Sequence, residues 1–180
     1  MNATGNNALA FLITTLVDLY VTAVLLRLLL QWVRADFYNP VCQFLVRITN
    51  PVLVPLRRVI PSIRRLDTAS VVLMLALEFV VTWIVVQISP VAFTLGQIFV
   101  YSVVKLLGTL LWTWFFLIIA MVILSWVGRG ARHPVVPLVY QLTEPLLRPV
   151  RRVLPPIAGI DLSPLFVLIA IRFLLVLLGF

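Results

Sequence analysis

Four stretches of this chain, at about 8–33, 69–88, 98–127 and 162–180, are nearly unbroken runs of apolar residues. Each is close to or above the roughly 20 residues a helix needs to cross the hydrocarbon of a bilayer. Inside hydrocarbon no water is present to satisfy backbone N–H and C=O groups, so a spanning segment of this length must satisfy them itself, as a helix does. The expected fold class is therefore all-α: a polytopic membrane protein with four transmembrane helices. Composition points the same way. The 180 residues are 63% hydrophobic and 11% charged, against about 25% charged in a soluble domain.

Between the runs the charge is uneven. Loop 34–67 carries six arginines against Asp36 and Asp67, a net of +4, and loop 128–161 carries five arginines against Glu144 and Asp161, a net of +3. The segment between the second and third runs, around Ser89-Pro90, is short and uncharged. With four spans the two basic loops share a side. Cytoplasmic loops are enriched in Lys and Arg, which puts both loops in the cytoplasm and both termini outside. The net charge of +8 therefore reads as a topological signal and not as a nucleic-acid surface. The opening residues, MNATGNN, have no basic n-region, so the first apolar run is expected to remain in the mature protein. Cys42 is the one cysteine and His133 the one histidine. An intrachain disulfide is excluded, and neither a zinc site of the usual ligand types nor a cofactor is expected.

The chain also repeats itself. At an offset of 94 residues, Trp32, Pro40 and Thr49 match Trp126, Pro134 and Thr143. Pro51, Leu53, Pro55, Arg57, Arg58, Val59 and Pro61 then match Pro145, Leu147, Pro149, Arg151, Arg152, Val153 and Pro155, and Asp67 matches Asp161. This register defines two repeats, 8–88 and 98–180. Each holds two spans and one basic loop, so both enter the membrane in the same direction, as a parallel repeat.

Each loop has internal pattern. Asn39-Pro40 has the form of an N-cap followed by proline at the first helical position. Val41, Phe44, Leu45 and Ile48 follow at one-face helical spacing, as do Val135, Leu138, Val139 and Leu142. Short amphipathic helices at the membrane surface are expected here, the second one weakened by Pro137. The prolines at 51, 55 and 61 are expected to hold the next segment extended or turning. Asp67 and Asp161 stand where N-caps would open spans two and four, complementing the helix dipole.

The doubled TxPxLxPxRRxxP phrase with its downstream aspartate, over residues 49–67 and 143–161, resembles the YggT family of integral membrane proteins. The resemblance covers nearly the whole chain. It implies a small four-span protein of the bacterial plasma membrane, with relatives in chloroplasts. It further implies membrane-associated roles in cell division and nucleoid distribution, osmotic tolerance, or assembly of a plastid cytochrome complex, and no known enzymatic activity.

Two sets of residues are candidate sites. Arg57, Arg58, Arg151 and Arg152 have forks that match phosphate oxygens, each worth about 1 kcal/mol near an anionic leaflet. Charge alone would set topology, whereas the proline register suggests a defined surface for anionic lipid or an acidic partner. The second set is intramembrane. Asp18, Glu78 and Arg172 each lie about ten residues, or roughly 15 Å, into a span, where charges are costly and face inward in pairs. Glu78 and Arg172 occupy positions 94 apart and are expected to pair. Asp18 lies half a turn around its helix from Arg27 and cannot use it; it is protonated or joins the same cluster. Arg27 and Lys105 sit nearer span ends and are expected to snorkel. Trp32 and Trp126 read as interfacial anchors, and Trp112 and Trp114 as packing residues. Ser62 and Ser125 have no base nearby in sequence, and nothing else suggests an enzyme. The expected function is a non-enzymatic scaffold or assembly factor whose basic face organises anionic lipids or a membrane-protein partner, with homo-oligomerisation open. The alternative is an ion transporter or channel component using Asp18, Glu78 and Arg172.

Overall fold

The computed structural model describes residues 3–63, 66–88, 93–127, 133–154 and 161–180, with side chains from residue 8 onward. Among the described residues six helices follow one another: α1 (Ala3–Trp32), α2 (Pro40–Val59), α3 (Thr68–Ile88), α4 (Leu95–Val127), α5 (Val135–Val153) and α6 (Ser163–Leu177). No strand occurs among them beyond the isolated bridge between Ile63 and Leu66. Arg64, Arg65, Ser89, Pro90, Arg129, Arg132, Pro155 and Ile157 lie outside the described residues.

Three helices are long and apolar enough to cross a membrane, over Ala8–Trp32, Thr68–Ile88 and Leu95–Trp126. Their outward faces are apolar: Leu12, Leu16, Val80, Trp83, Phe116 and Ile123 are all exposed. Their buried positions include Ser70, Glu78, Thr82 and Ser102. That inversion of the water-soluble pattern suits hydrocarbon outside and polar contacts within. The fourth expected span is shorter. Helix α6 has 15 residues, about 22 Å at 1.5 Å per residue, against about 30 Å of hydrocarbon. It ends because Gly179 takes φ +88° and Phe180 N–H returns to the Leu175 carbonyl at 2.9 Å, a Schellman closure. Helix α1 ends the same way, with Ala35 N–H on the Leu30 carbonyl at 2.9 Å. There Arg34 takes the left-handed position at φ 56°.

Helices α2 and α5 correct the expected extended segment. Each runs on through its prolines, Pro51 and Pro55 in α2 and Pro145 and Pro149 in α5. The reason is which face they occupy. Cys42, Leu45, Thr49 and Leu53 form the buried stripe of α2, whereas Pro51 and Pro55 are exposed. Each proline lies two residues, about 200°, from a stripe residue. The lost hydrogen bond and the ring clash fall on the outer side, where a curving helix already opens. Pro137 does not disturb α5, because the helix starts at Val135 and the third residue of a helix has no intrahelical N–H bond to lose. Asn39 caps α2 as its sequence suggests, its Oδ1 accepting Val41 N–H at 2.9 Å.

The chain divides into two compact units. Unit one is Met1–Leu28 with Leu45–Leu107, and unit two is Leu29–Phe44 with Gly108–Phe180. In unit one, Val21, Val24 and Leu25 of α1, Leu53 of α2 and Ala69, Met74 and Val81 of α3 are buried. In unit two, Ile118 and Met121 of α4, Val139 and Leu147 of α5 and Val167, Ile171 and Leu175 of α6 form one core cluster. The α6 contribution recurs every four residues, the spacing of a single helical face.

Candidate functional site

The arginine pairs close the loops after α2 and α5. In unit one, Arg57 Nε donates to Asp67 Oδ2 at 3.2 Å, and Nη2 of the same guanidinium donates to that oxygen as well. Ser70 Oγ adds a hydrogen bond to Asp67 Oδ2 at 2.6 Å. Asp67 immediately precedes α3 and is 2% exposed. In unit two, Arg151 Nε donates to Asp161 Oδ2 at 2.7 Å and its Nη1 to Glu144 Oε2 at 2.8 Å. Asp161 Oδ1 accepts Ser163 N–H at 2.9 Å, from one position outside the Leu162 cap. Burial pushes the Asp67 carboxyl up, but the Arg57 and Ser70 hydrogen bonds and the Arg57 charge outweigh it and hold the group below the usual carboxylate value. Asp161 is likewise pushed up by burial and brought lower by Ser163 and Arg151.

The two arginines of each pair thus have different work. Arg57 and Arg151 clamp an aspartate ten residues on, a task suited to a planar fork. Arg58 and Arg152 are exposed and make no ion pair among the described residues. Arg47 is exposed on α2 and Arg148 on α5. Eleven residues separate Arg47 from Arg58, close to three full turns, and four separate Arg148 from Arg152, so each helix presents its two exposed arginines along one ridge. Phe44, Val54 and Val59 are exposed on α2, and Tyr140 and Val153 on α5.

The charges within the apolar helices are arranged otherwise than expected. In unit one Lys105 does not snorkel. Its Nζ lies 2.6 Å from Asp18 Oδ1 and 2.8 Å from Glu78 Oε2. One ammonium therefore bridges two carboxylates on α1 and α3, and it takes the place of Arg172 as the partner of Glu78. The physical reason is burial: Glu78 is 0% exposed, and a carboxylate taken out of water needs a cation against it. Arg27 does not snorkel either. It is 6% exposed, and its Nη1 donates to Thr49 Oγ1 on α2 at 2.5 Å. In unit two Arg172 is exposed. It lies over the Trp112 ring, 5.9 Å from the centroid, and its Nη1 donates to the Phe180 carbonyl at 3.3 Å. Because α6 stops at Leu177, Arg172 is within two turns of the C-terminal end of the helix, whose partial negative charge attracts a cation. Positions 18 and 78 correspond to 112 and 172 at the 94-residue offset. Two carboxylates around a lysine in one half stand where an arginine over a tryptophan stands in the other.

Unit one also holds a cavity of about 260 Å³, lined by Thr14, Val81, Thr82, Val85, Val86, Phe93, Ile98, Tyr101 and Lys105. Among the described residues no group of three His, Cys, Asp or Glu side chains is placed to hold a metal ion. Lys105, Thr49 and the division of labour within each arginine pair were not evident from sequence. A partial signal existed for Thr49, an apolar-face threonine in a buried stripe.

The family model described as CCB3/YggT matches this chain twice, over residues 6–88 and 100–180. An uncharacterized protein from the proC 3′ region of Vibrio alginolyticus is 43% identical over 178 residues, covering 96% of this chain and 94% of the relative. The uncharacterized protein YggT of Escherichia coli K12 is 40% identical over 166 residues, covering 91% of this chain and 85% of the relative. An uncharacterized protein of Pseudomonas aeruginosa is 42% identical over 171 residues, covering 93% and 86%. No solved structure matches the chain. With both matched segments spanning nearly its whole length, the chain belongs to the CCB3/YggT family.

Proposed function

We propose that this chain is a non-enzymatic plasma-membrane protein whose basic cytoplasmic face gathers anionic lipid headgroups and so organises the membrane around a partner protein. In this reading α1, α3, α4 and α6 are four spans from two parallel repeats, with both termini outside. Helices α2 and α5 lie in the cytoplasmic interface. One observation carries the reading: Arg58 and Arg152 are exposed beside the clamped Arg57 and Arg151. The clamp fixes the helix end, and its neighbour is presented outward on a ridge with Arg47 or Arg148. Apolar residues such as Phe44 and Val59 sit on the same helix, ready to dip below the headgroups while the guanidinium groups meet phosphate. Through the family resemblance such a face fits a scaffold or assembly factor in division, envelope or osmotic homeostasis.

The test is lipid retention. The protein is released from nanodiscs containing phosphatidylglycerol and phosphatidylethanolamine, and the lipid that stays bound is weighed by native mass spectrometry. Wild type is expected to keep phosphatidylglycerol in preference. The Arg58→Ala, Arg152→Ala double variant is expected to lose that preference while unfolding at the same temperature. Unchanged preference in the folded double variant would overturn the proposal.

A further inference from the structure

The Asp18–Lys105–Glu78 cluster has two carboxylates and one ammonium, so with all three ionised it carries one uncompensated negative charge. Glu78 is fully buried, and its Oε1 has no hydrogen-bond partner among the described residues. A buried charge left in that condition is costly and calls for a positive charge. Among the described residues of unit one, no other cation is paired with either carboxylate. Arg27 is engaged with Thr49, nine residues along α1 from Asp18, and Arg57 is engaged with Asp67. Tyr20 on α1 and Tyr101 on α4 are phenols and bring no positive charge.

The cavity offers a route. Lys105 forms part of its wall. Three more of its lining residues are hydroxyls, and each lies four residues from one member of the cluster: Thr14 from Asp18, Thr82 from Glu78 and Tyr101 from Lys105. Residues four apart stack on one face of a helix, one turn apart. Thr14 and Tyr101 precede their partners and Thr82 follows its own. Helix α3 leaves Asp67 at its first residue and reaches Thr82 near its far end, so the cavity lies on the side of the cluster away from Asp67. Its volume of about 260 Å³ lies at the lower edge of the roughly 300–1,000 Å³ of organic-ligand pockets. Val81, Val85, Val86, Phe93 and Ile98 make its walls mainly apolar, and the three hydroxyls with Lys105 supply the polar groups an ion or water needs.

We infer that this cavity admits a monovalent cation, a proton or a small alkali ion, to the Glu78 side of the Asp18–Lys105–Glu78 cluster from the end of α3 opposite Asp67. The inference is independent of the arginine ridges. It is tested by infrared difference spectroscopy on the full chain in nanodiscs of neutral lipid, where only six Asp and Glu residues contribute. Choline is exchanged for sodium and then potassium at fixed pH, and separately the pH is lowered in choline. One of these exchanges is expected to perturb carboxylate bands in wild type and not in Glu78→Gln. A proton converts carboxylate absorption into carboxylic-acid absorption, whereas an alkali ion shifts the carboxylate bands without producing the acid. Val85→Trp leaves the cluster intact and fills the cavity wall; it is expected to slow the response by about tenfold or more, equivalent to about 1.4 kcal/mol of added barrier. This arm decides the matter should Glu78→Gln fail to fold. Absence of a Glu78-dependent change in every exchange, or a Val85→Trp response as fast as wild type, would overturn the inference.

Discussion

Replacing Lys105 by methionine should be among the most damaging single substitutions in unit one. The side chain keeps its length and loses its charge. Two carboxylates then face each other without the cation that sits 2.6 Å from Asp18 and 2.8 Å from Glu78. Side-chain exposure sets the weights: 0% for Glu78, 15% for Lys105 and 38% for Asp18. Removing one partner of a buried pair costs about 3–5 kcal/mol. The contact to the more exposed Asp18 is discounted to about 0–1 kcal/mol. The expected loss is therefore about 3–5 kcal/mol, nearly all of it from Glu78 left alone. Adding Glu78→Gln removes the stranded charge, so the double variant should recover about 2 kcal/mol, within the coupling range of contacting residues. The assay is reversible unfolding in mixed micelles of mild detergent and dodecyl sulfate, followed by helical circular dichroism. A Lys105→Met variant within about 0.5 kcal/mol of wild type, the usual scatter of surface substitutions, would refute the reasoning. So would a double variant as unstable as the single.

The arginine clamps give a contrast within each pair. Arg57→Lys should destabilise unit one, because a point charge cannot reproduce two donors on Asp67, while Arg58→Lys should leave stability unchanged; thermal unfolding of the two variants checks this. Asp67 titrates below its ordinary value of 3.8, so its contribution is complete above that value and is lost as pH falls through the lower folded value. Asp67→Asn should cost about 2 kcal/mol at neutral pH and make acid unfolding less steep over that window. Cys42 is 2% exposed, and burial, followed by the nearby Asp36, pushes its thiol up. It should resist maleimide at neutral pH in the folded protein and react fully once α2 is unfolded, a difference read by mass. A Cβ placed on Gly108 would stand 2.7 Å from the Phe180 ring. Those ring atoms are the far end of an exposed side chain that can turn aside. Gly108→Ala should therefore stabilise by up to about 1 kcal/mol through helix propensity, and by more in a Phe180→Ala background than in wild type, as thermal unfolding of the variants would read.

Much of the secondary structure follows from local physics. The length of the apolar runs demands helices in hydrocarbon, the Asn39-Pro40 pair starts α2, and the one-face spacing of Leu45 and Val139 orients two amphipathic helices. These features depend on residues a few positions apart, so the linear pattern contains them. The prolines are the instructive exception. Local rules count Pro51 and Pro55 as breakers, but their cost depends on which side of the helix they occupy. That side is set by the burial of Thr49 and Leu53. A similar limit holds for the length of α6, which a left-handed Gly179 ends.

The charges divide along the same line. That Asp18 and Glu78 are expensive in a membrane span, and must find a partner, is plain from their depth in apolar sequence. Which cation answers them is not, because Lys105 is 87 residues from Asp18 and 27 from Glu78. An offset of 94 points to Arg172 by symmetry, but equivalence in a duplication does not bring side chains together. Packing does so, and in unit one it brings α1, α3 and the first half of α4 to one ammonium group. Sequence alone determined that this chain is helical, membrane-like and internally repeated, because length, polarity and register are one-dimensional properties. Tertiary structure alone decided that Lys105 bridges two carboxylates, that Arg27 is buried on Thr49 and that one arginine of each pair is clamped, because those depend on distances between helices.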